Sequence, residues 1–386
     1  MISKKKIDVK NTIQIHSQAK LDFYRKYLER YIRILYNSSQ IERVNIFDVF
    51  CGSGIYDDGG KGSPILCFDL IKEIYYQSKH TNKINLYVND AQKERVDNVR
   101  EYIDSKNNNY CSMSYHNKDI SEMFNFVLGT INKSTSSKIR NLVFIDPYGY
   151  KDIKKEIITE LIKNKKTEII LFLPISHMYR FTQVSLSEEE KSQYKPLKDF
   201  IESFFPDEHP IKSEKINTLQ YIEYISDALN FNKEYYSTSY YIERDSVNYF
   251  ALFFISSSIY GFEKILEVKW SLDEGNPNGF NLPKEAGLFD DEEKEDVKQT
   301  NFEKLKNIFI DGLNKEIDNR EIYLMTLRYG FLPKHANEVL KYLEKNNYKF
   351  KVLDINERKP ARKHSFYVSW DNYNNKEPKV VMFIEK

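Results

Sequence analysis

The sequence predicts an α/β protein: a doubly wound, mostly parallel sheet followed by a smaller helical domain. Three observations predict it. From residue 43 to about 180, short apolar runs alternate with amphipathic stretches of helical period. Those runs are continuously apolar, as in strands buried on both faces, and parallel strands need helical crossovers. Several runs end on an acid or on glycines, where sheets of this kind bind ligands. With 386 residues, 41% hydrophobic and 15% aromatic, the chain can bury one large core and one small one.

The elements follow in order. "SQAKLDFYRKYLERYIRILYN" carries Leu21, Tyr24, Leu28, Tyr31, Ile32 and Leu35 at helical spacing and reads as an amphipathic first helix. "VNIFDVF" is a short buried strand. A glycine-rich loop follows, then the helix "SPILCFDLIKEIYYQ", with Ser63 as its N-cap and Pro64 in its first turn. "INLYVND", "YCSMSYHNKD", "NLVFIDPYG" and "TEIILFLPIS" read as strands two to five, separated by helices near "QKERVDNVREYIDS", "SEMFNFVLGTINK" and "IKKEIITELIKN". Residues 181–233 break the alternation and read as a helical insertion. "EYYSTSYYIERD" and "VNYFALFFISSS" close the sheet as a hairpin, and "GFEKILEVKWSLDE" returns to helix. The expected organisation is a domain over 1–285, an acidic linker over 286–300 and a second domain over 301–386. In the last, three helices precede a strand pair, "YKFKVLDI" and "HSFYVSW", around the basic turn "NERKPARK". That order predicts a winged helix.

Lys+Arg (58) nearly balances Asp+Glu (57), which excludes a global electrostatic grip on nucleic acid but not local basic patches. Cys51, Cys67 and Cys111 have the spacing of neither a zinc site nor a disulfide framework, so no metal is expected. The basic N-terminus lacks the apolar core of a secretory signal, and the most apolar window, "YFALFFISSSIYGF", is too short to span a membrane. The expectation is a cytoplasmic protein with no membrane partner.

Chemistry concentrates at the strand ends. The first strand runs into D-x-F-x-G-x-G: Asp48, Phe50, Gly52 and Gly54. Small residues let a backbone approach a ligand and permit positive φ. A dinucleotide would want a third glycine, but position 57 is Asp, and Asp58 follows. These acids repel phosphate and suit a cation, such as the sulfonium and ammonium groups of S-adenosylmethionine. The second strand ends at Asp90, where a ribose diol would lie, and the third at Asp119, which is placed to accept from an adenine amino group. Each acid alone reads equally well as a helix cap. The fourth strand ends "FIDPYGYKDI". In isolation this is a strand-to-helix turn. Amino-methyltransferases place a [D/N]-P-P-[Y/F] segment here, whose side chain and carbonyl accept hydrogen bonds from a target NH₂ and aim its lone pair at the methyl carbon. A duplex base would have to flip out to reach it.

"FDVFCGSGIYDDGGKGSP", "FIDPYGYKDI", "LFLPISHMYRF" and "GFEKILEVKWSLDEGNPNGF" together resemble the three-Cys-motif partner (TcmP) family, and "HSQAKLDFYRKYLERY" is similar to that family's N-terminal segment. The resemblance covers most of the chain and is weakest over 181–233. It implies a Rossmann-like fold similar to S-adenosylmethionine-dependent methyltransferases, and a partner resembling radical-SAM enzymes. By motif, Asp48, Phe50, Gly52 and Gly54 would line the cofactor pocket, Asp90 and Asp119 would contact ribose and adenine, and Asp146, Pro147 and Tyr148 would face the substrate. Tyr148 replaces the second proline and Gly149 the aromatic, so either Tyr148 or Tyr150 is left to stack on a base. The implied acceptor is an amino nitrogen of a nucleic-acid base, adenine first. The alternative is a non-catalytic partner subunit with a vestigial pocket.

Other residues have blander readings beside the functional ones. His177 and Arg180 line the substrate cleft or cap the fifth strand; His16 reaches the cofactor mouth or only packs; Trp270 is core. Arg358, Lys359, Arg362 and Lys363 in the wing contact phosphate, dock a protein, or form a solvated hairpin.

Overall fold

The computed structural model describes residues 13–78, 82–106, 108–133, 136–187, 192–213, 215–245, 247–282, 290–346 and 348–385, the side chains of 192 and 290–298 excepted. The chain divides into two compact units. One comprises residues up to Gly261 together with Asn278–Leu282; the other comprises Phe262–Pro277 and the chain from 283 on.

The first unit opens with α1 (Ile15–Tyr36), then alternates β1 (Arg43–Asp48), α2 (Ser63–Gln77), β2 (Lys83–Asn89), α3 (Lys93–Asp104), β3 (Ser112–His116), α4 (Ile120–Asn132), β4 (Ile139–Ile145), α5 (Lys155–Ile162) and β5 (Thr167–Leu173). The insertion between β5 and the next strand is helical, as expected: α6 (Ile175–Leu186), α7 (Lys195–Phe204), α8 (Pro210–Ser213) and α9 (Thr218–Ala228). The hairpin β6 (Tyr236–Asp245) and β7 (Asn248–Ser256) follows, and β8 (Gly279–Phe280) returns beside β6. The strand order is β3-β2-β1-β4-β5-β7-β6-β8. Strands β1 to β5 are mutually parallel, and β7 is antiparallel to β5 and β6. This is an α/β, Rossmann-like core of methyltransferase type, in which the reversed seventh strand slots between the fifth and sixth.

Register is pinned inside the sheet. Asn85, Asn45, Asn141 and Thr167 lie directly opposite one another on four neighbouring strands. Asn85 Nδ2 donates to Asn45 Oδ1 (3.0 Å), Asn45 Nδ2 to Asn141 Oδ1 (2.9 Å) and Asn141 Nδ2 to Thr167 Oγ1 (3.3 Å). A slip by one residue would break this ladder and leave buried amides unpaired. It sits in the amino halves of the strands, away from their carboxyl ends. Cys51 and Cys67 are buried and Cys111 half-buried; burial pushes all three thiols up, so none is a nucleophile at neutral pH. Among the described residues no helix is long and apolar enough to cross a membrane.

Three boundaries differ from the sequence expectation. The unit boundary falls within α10 (Ile259–Leu272) rather than at 285. The C-terminal part of α10 belongs to the second unit: Tyr323 donates to Glu263 (2.5 Å), and Trp270 donates to Gly330 O (2.9 Å) and packs on His335. The expected linker 286–300 lies outside the described residues up to 289, and from Asp290 it is helix, the start of α11 (Asp290–Gly312). Acids are favourable in the first turn of a helix, so the charge run reads as a helix start. Finally, the strand partner of β10 (Phe350–Asp354) is β11 (Val380–Ile384), not 364–370. His364 and Tyr367 take left-handed φ of 61° and 54°, which interrupts any strand there, while Phe366 and Val368 are buried from a loop. The second unit thus runs from the C-terminal part of α10 to α11, β9 (Ile317–Asp318), α12 (Asn319–Arg328), α13 (Pro333–Lys345), β10, the short α14 (Trp370–Asn374) and β11, with sheet order β10-β11-β9.

Candidate functional site

Because β1 to β5 are parallel, their carboxyl ends share one rim, and the hairpin turn at Asp245–Asn248 joins it from β6 and β7. Asp48 closes β1 on that rim. It is fully buried, and neither carboxylate oxygen has a hydrogen-bond partner among the described residues. Burial pushes its pKa up to about 7; Ser63 and Lys20 lie near enough to oppose the rise, and Asp146 and Asp90 add to it. These influences bring Asp48, Asp90, Asp146 and Lys20 into one electrostatic neighbourhood. Ser63 is not the N-cap of α2, which is Gly62.

The glycine loop is a small hairpin. Tyr56 N–H donates to Gly60 O (2.9 Å), Gly59 N–H to Tyr56 O (2.9 Å) and Gly62 N–H to Gly54 O (2.7 Å). Gly52 (φ +59°) and Gly54 (φ +75°) occupy the left-handed region. At Gly52 an added Cβ would meet nothing within 4 Å, whereas at Gly54 it would lie 2.7 Å from Val99 Cγ2 and 3.1 Å from Ile65 Cγ1. Gly52 is therefore glycine for its turn, and Gly54 also for the packing of α2 and α3 beneath it. Phe50 is half-buried against the core, and Cys51 N–H donates to Asn89 O (2.8 Å), tying the loop to β2. Asp58 accepts from Ile13 N–H (3.0 Å) and Gly60 N–H (2.9 Å), so its charge braces the loop; Asp57 is exposed.

The other acids differ in their engagement. Asp90 is buried and accepts from Gly52 N–H (3.2 Å) and Gln92 N–H (2.9 Å), with Arg95 Nη1 3.6 Å away. Asp119 is exposed and caps α4, accepting from Glu122 N–H (2.9 Å). Asp146 follows β4 and is paired with Lys20 of α1, Nζ to Oδ2 2.5 Å. Pro147 is buried. Tyr148 is 71% exposed and carries the Arg95 guanidinium over its ring at 5.0 Å. Tyr150 is turned inward, its hydroxyl 3.3 Å from His177 Nδ1. Arg180 donates to Asn248 Oδ1 (2.5 Å) in the hairpin turn, so it is committed to holding that turn.

Lys20 and an aromatic row were not singled out from the sequence. The Lys20 ammonium lies 4.7 Å from the Phe172 ring centre; Phe172 stacks on Phe250 (5.1 Å), and Phe250 on His16 (5.4 Å). Burial, helped by Arg244 and Lys20, holds the His16 imidazole below its ordinary pKa, so it is neutral at pH 7. A signal did exist. Lys20 stands one turn before Tyr24 and one turn after His16, a lysine on the face of α1 that buries Tyr24, Tyr27 and Tyr31.

In the second unit, Arg358 pairs with Glu316, and Lys359 with Glu357 (3.1 Å); Arg362 and Lys363 are exposed on the same excursion between β10 and β11. Exposed pairs such as these hold little energy and give way to a stronger partner.

No family model matches the chain, and no curated protein does. Among solved structures it is similar to Trm1 from Pyrococcus horikoshii with S-adenosyl-L-methionine, at 7% identity and TM-score 0.33, over 67% of this chain and 60% of that one. It is also similar to the O-methyltransferase TomG from Streptomyces achromogenes, at 11% identity and TM-score 0.31, over 62% and 87% of the two chains. Human methyltransferase-like protein 13 with SAH gives 9% identity and TM-score 0.33, over 73% and 100%. At these values the fold rests on the strand order itself and not on the likenesses.

Proposed function

We propose that the first unit is an S-adenosylmethionine-dependent methyltransferase whose acceptor is an amino nitrogen of a nucleic-acid base, adenine first. The observation that carries this reading is Asp48: a fully buried carboxylate, without a hydrogen-bond partner among the described residues, at the end of the central strand, beside a turn bared by Gly52 and Gly54. An uncompensated buried charge is costly, and a cationic ligand removes that cost. The donor set therefore fits S-adenosylmethionine, which supplies an electrophilic methyl group when bound. Asp48 would face its cationic end, Gly52 and Gly54 would let it approach the backbone, and Asp90 would exchange its loop contacts for the ribose hydroxyls. Asp119 keeps one oxygen for the α4 cap and would offer the other to adenine.

Asp146 and the backbone at Pro147 would hold the acceptor NH₂, fixing its lone pair on line with the methyl carbon; positioning and preorganised charge supply most of the rate in such transfers. The half-exposed rings of His16 and Phe250 offer a base a better-placed wall than Tyr148, which is committed to Arg95. In the second unit, the succession helix, strand, two helices and two strands supports a winged helix, with Arg362 and Lys363 free to meet phosphate. The TcmP resemblance adds a three-Cys-motif, radical-SAM-like protein as partner.

The test is calorimetry with S-adenosylmethionine and its demethylated product, followed by nucleoside mass spectrometry of cells with and without the gene. Binding of both ligands and loss of one methylated base on deletion are expected. Asp146→Ala should lower transfer by about 10³-fold while leaving cofactor affinity within about threefold. Binding of neither ligand overturns the proposal.

One observation favours a second reading, the non-catalytic subunit: Asp146 and Asp90 already have partners within the chain. Binding of neither ligand would select it.

A further inference from the structure

In the reading above, the acceptor amine is the group that hydrogen-bonds to Asp146. An amine of the chain already stands there: Lys20 Nζ, 2.5 Å from Asp146 Oδ2, with the two side chains only 13% and 21% exposed. It is not a loose surface lysine. The helix that carries it is fixed one turn later by Tyr24, stacked on Phe144 of β4 at 4.3 Å, and two turns later by Tyr27, which donates to Glu168 of β5. The ammonium also rests over the Phe172 ring. Lys20 is thus presented to the rim by rigid elements, and a nucleophile held in place reacts far faster than a free one.

Resting on the methyltransferase reading, we propose that Lys20 is itself a methyl acceptor and that the protein methylates its own chain at this position. In the step, the Lys20 Nζ lone pair attacks the methyl carbon of the sulfonium. An N–C bond forms as the S–C bond breaks, and the electron pair returns to sulfur to leave the neutral thioether, S-adenosylhomocysteine. The proton shed by the lysine ammonium passes to the Asp146 carboxylate. The product is a methylammonium, charged as soon as the N–C bond forms; once Asp146 releases its proton to solvent, the methylated lysine pairs with it again and still lies over Phe172. A base entering the site would have to displace this side chain, methylated or not.

The experiment uses the full chain and S-adenosylmethionine with an isotopically labelled methyl group; no nucleic acid is added. Intact mass is read on the protein as purified and after incubation, and the site is mapped by peptide mass spectrometry. One methyl group per chain at Lys20, present from expression or gained on incubation, is expected. Lys20→Arg should remove the modification, and Asp146→Asn should slow it ~10-fold or more, the size expected for losing one preorganised contact. Parallel calorimetry separates the two ideas. If the cofactor binds and Lys20 stays unmodified, or if label is spread over exposed lysines, self-methylation is overturned and the enzyme reading stands. If the cofactor does not bind, both fall.

Discussion

Asp48 and Glu168 are both carboxylates buried in the same sheet, and they could hardly be treated more differently. Glu168 lies at the amino end of β5. It accepts hydrogen bonds from Tyr27 and from Ser256 Oγ (2.9 Å), and Gly261 leaves room for it, since a Cβ there would come within 2.1 Å of its Oε1. Asp48, at the carboxyl end of β1, accepts none among the described residues. Burial raises the pKa of both; at Glu168 the Tyr27 and Ser256 hydroxyls pull it back, and at Asp48 the nearby Ser63 hydroxyl alone does so among the hydroxyls. The same contrast holds along the whole sheet. In the amino halves of the strands the asparagine ladder and Glu168 find partners within the chain; on the carboxyl rim Asp48 finds none among the described residues. Polar groups satisfied from within serve the fold, and one left open is held for something else.

The comparison can be broken most severely at Glu168. Glu168→Ala should cost about 3–5 kcal/mol, because it strands two buried hydroxyls and leaves a cavity. Urea unfolding reads this directly. Glu168→Gln keeps one acceptor and should cost about 1–2 kcal/mol. A loss below ~1 kcal/mol in the alanine variant would mean that Glu168 is not structural. Next in size is Gly54→Ala, which sets a left-handed residue against Val99 and Ile65; about 2–3 kcal/mol should be lost. Gly52→Ala meets open space, so only the strain of its φ remains, about 1 kcal/mol. The gap between the two glycines separates packing from turn geometry at one loop.

The parallel strands and the acids at their ends were legible because each rests on a local pattern: an apolar run, a helical period, an acid before glycines. What escaped is non-local. Lys20 meets Asp146 across 126 residues of sequence, and no spacing rule reaches that far. Asp119 was read both as a cap and as a ligand because the residue type serves both; the structure shows it as a cap, which excludes a ligand role for only one of its oxygens. The wing's second strand was misplaced because "HSFYVSW" alternates as a strand should, yet His364 and Tyr367 turn left-handed, and the apolar run near the C-terminus supplies β11 instead. Alternation marks burial of Phe366 and Val368, and burial alone does not make a ladder.

Asp48 supplies a modest effect and the sharpest sign. Its folded pKa, about 7, stands above the ordinary 3.8, so the native state keeps a proton that the unfolded chain has lost. Stability contributed by this group therefore falls as pH rises from about 4 to 7 and levels off beyond. Asp48→Asn keeps the shape and removes the charge. It should raise stability by about 1–2 kcal/mol at pH 8, with the difference from wild type shrinking toward pH 4. Urea midpoints across that range check it, and a variant less stable than wild type at pH 8 would show that the fold needs the charge. The same substitution should weaken S-adenosylmethionine binding about tenfold. A cation bound beside Asp48 favours the ionised form, so binding below pH 7 should release a proton, seen as a binding heat that changes with the buffer's heat of ionisation. Asn at this position has no proton to release, and the buffer dependence should vanish with it. A variant more stable yet weaker in binding would place Asp48 opposite Glu168, as a charge the fold tolerates for its ligand.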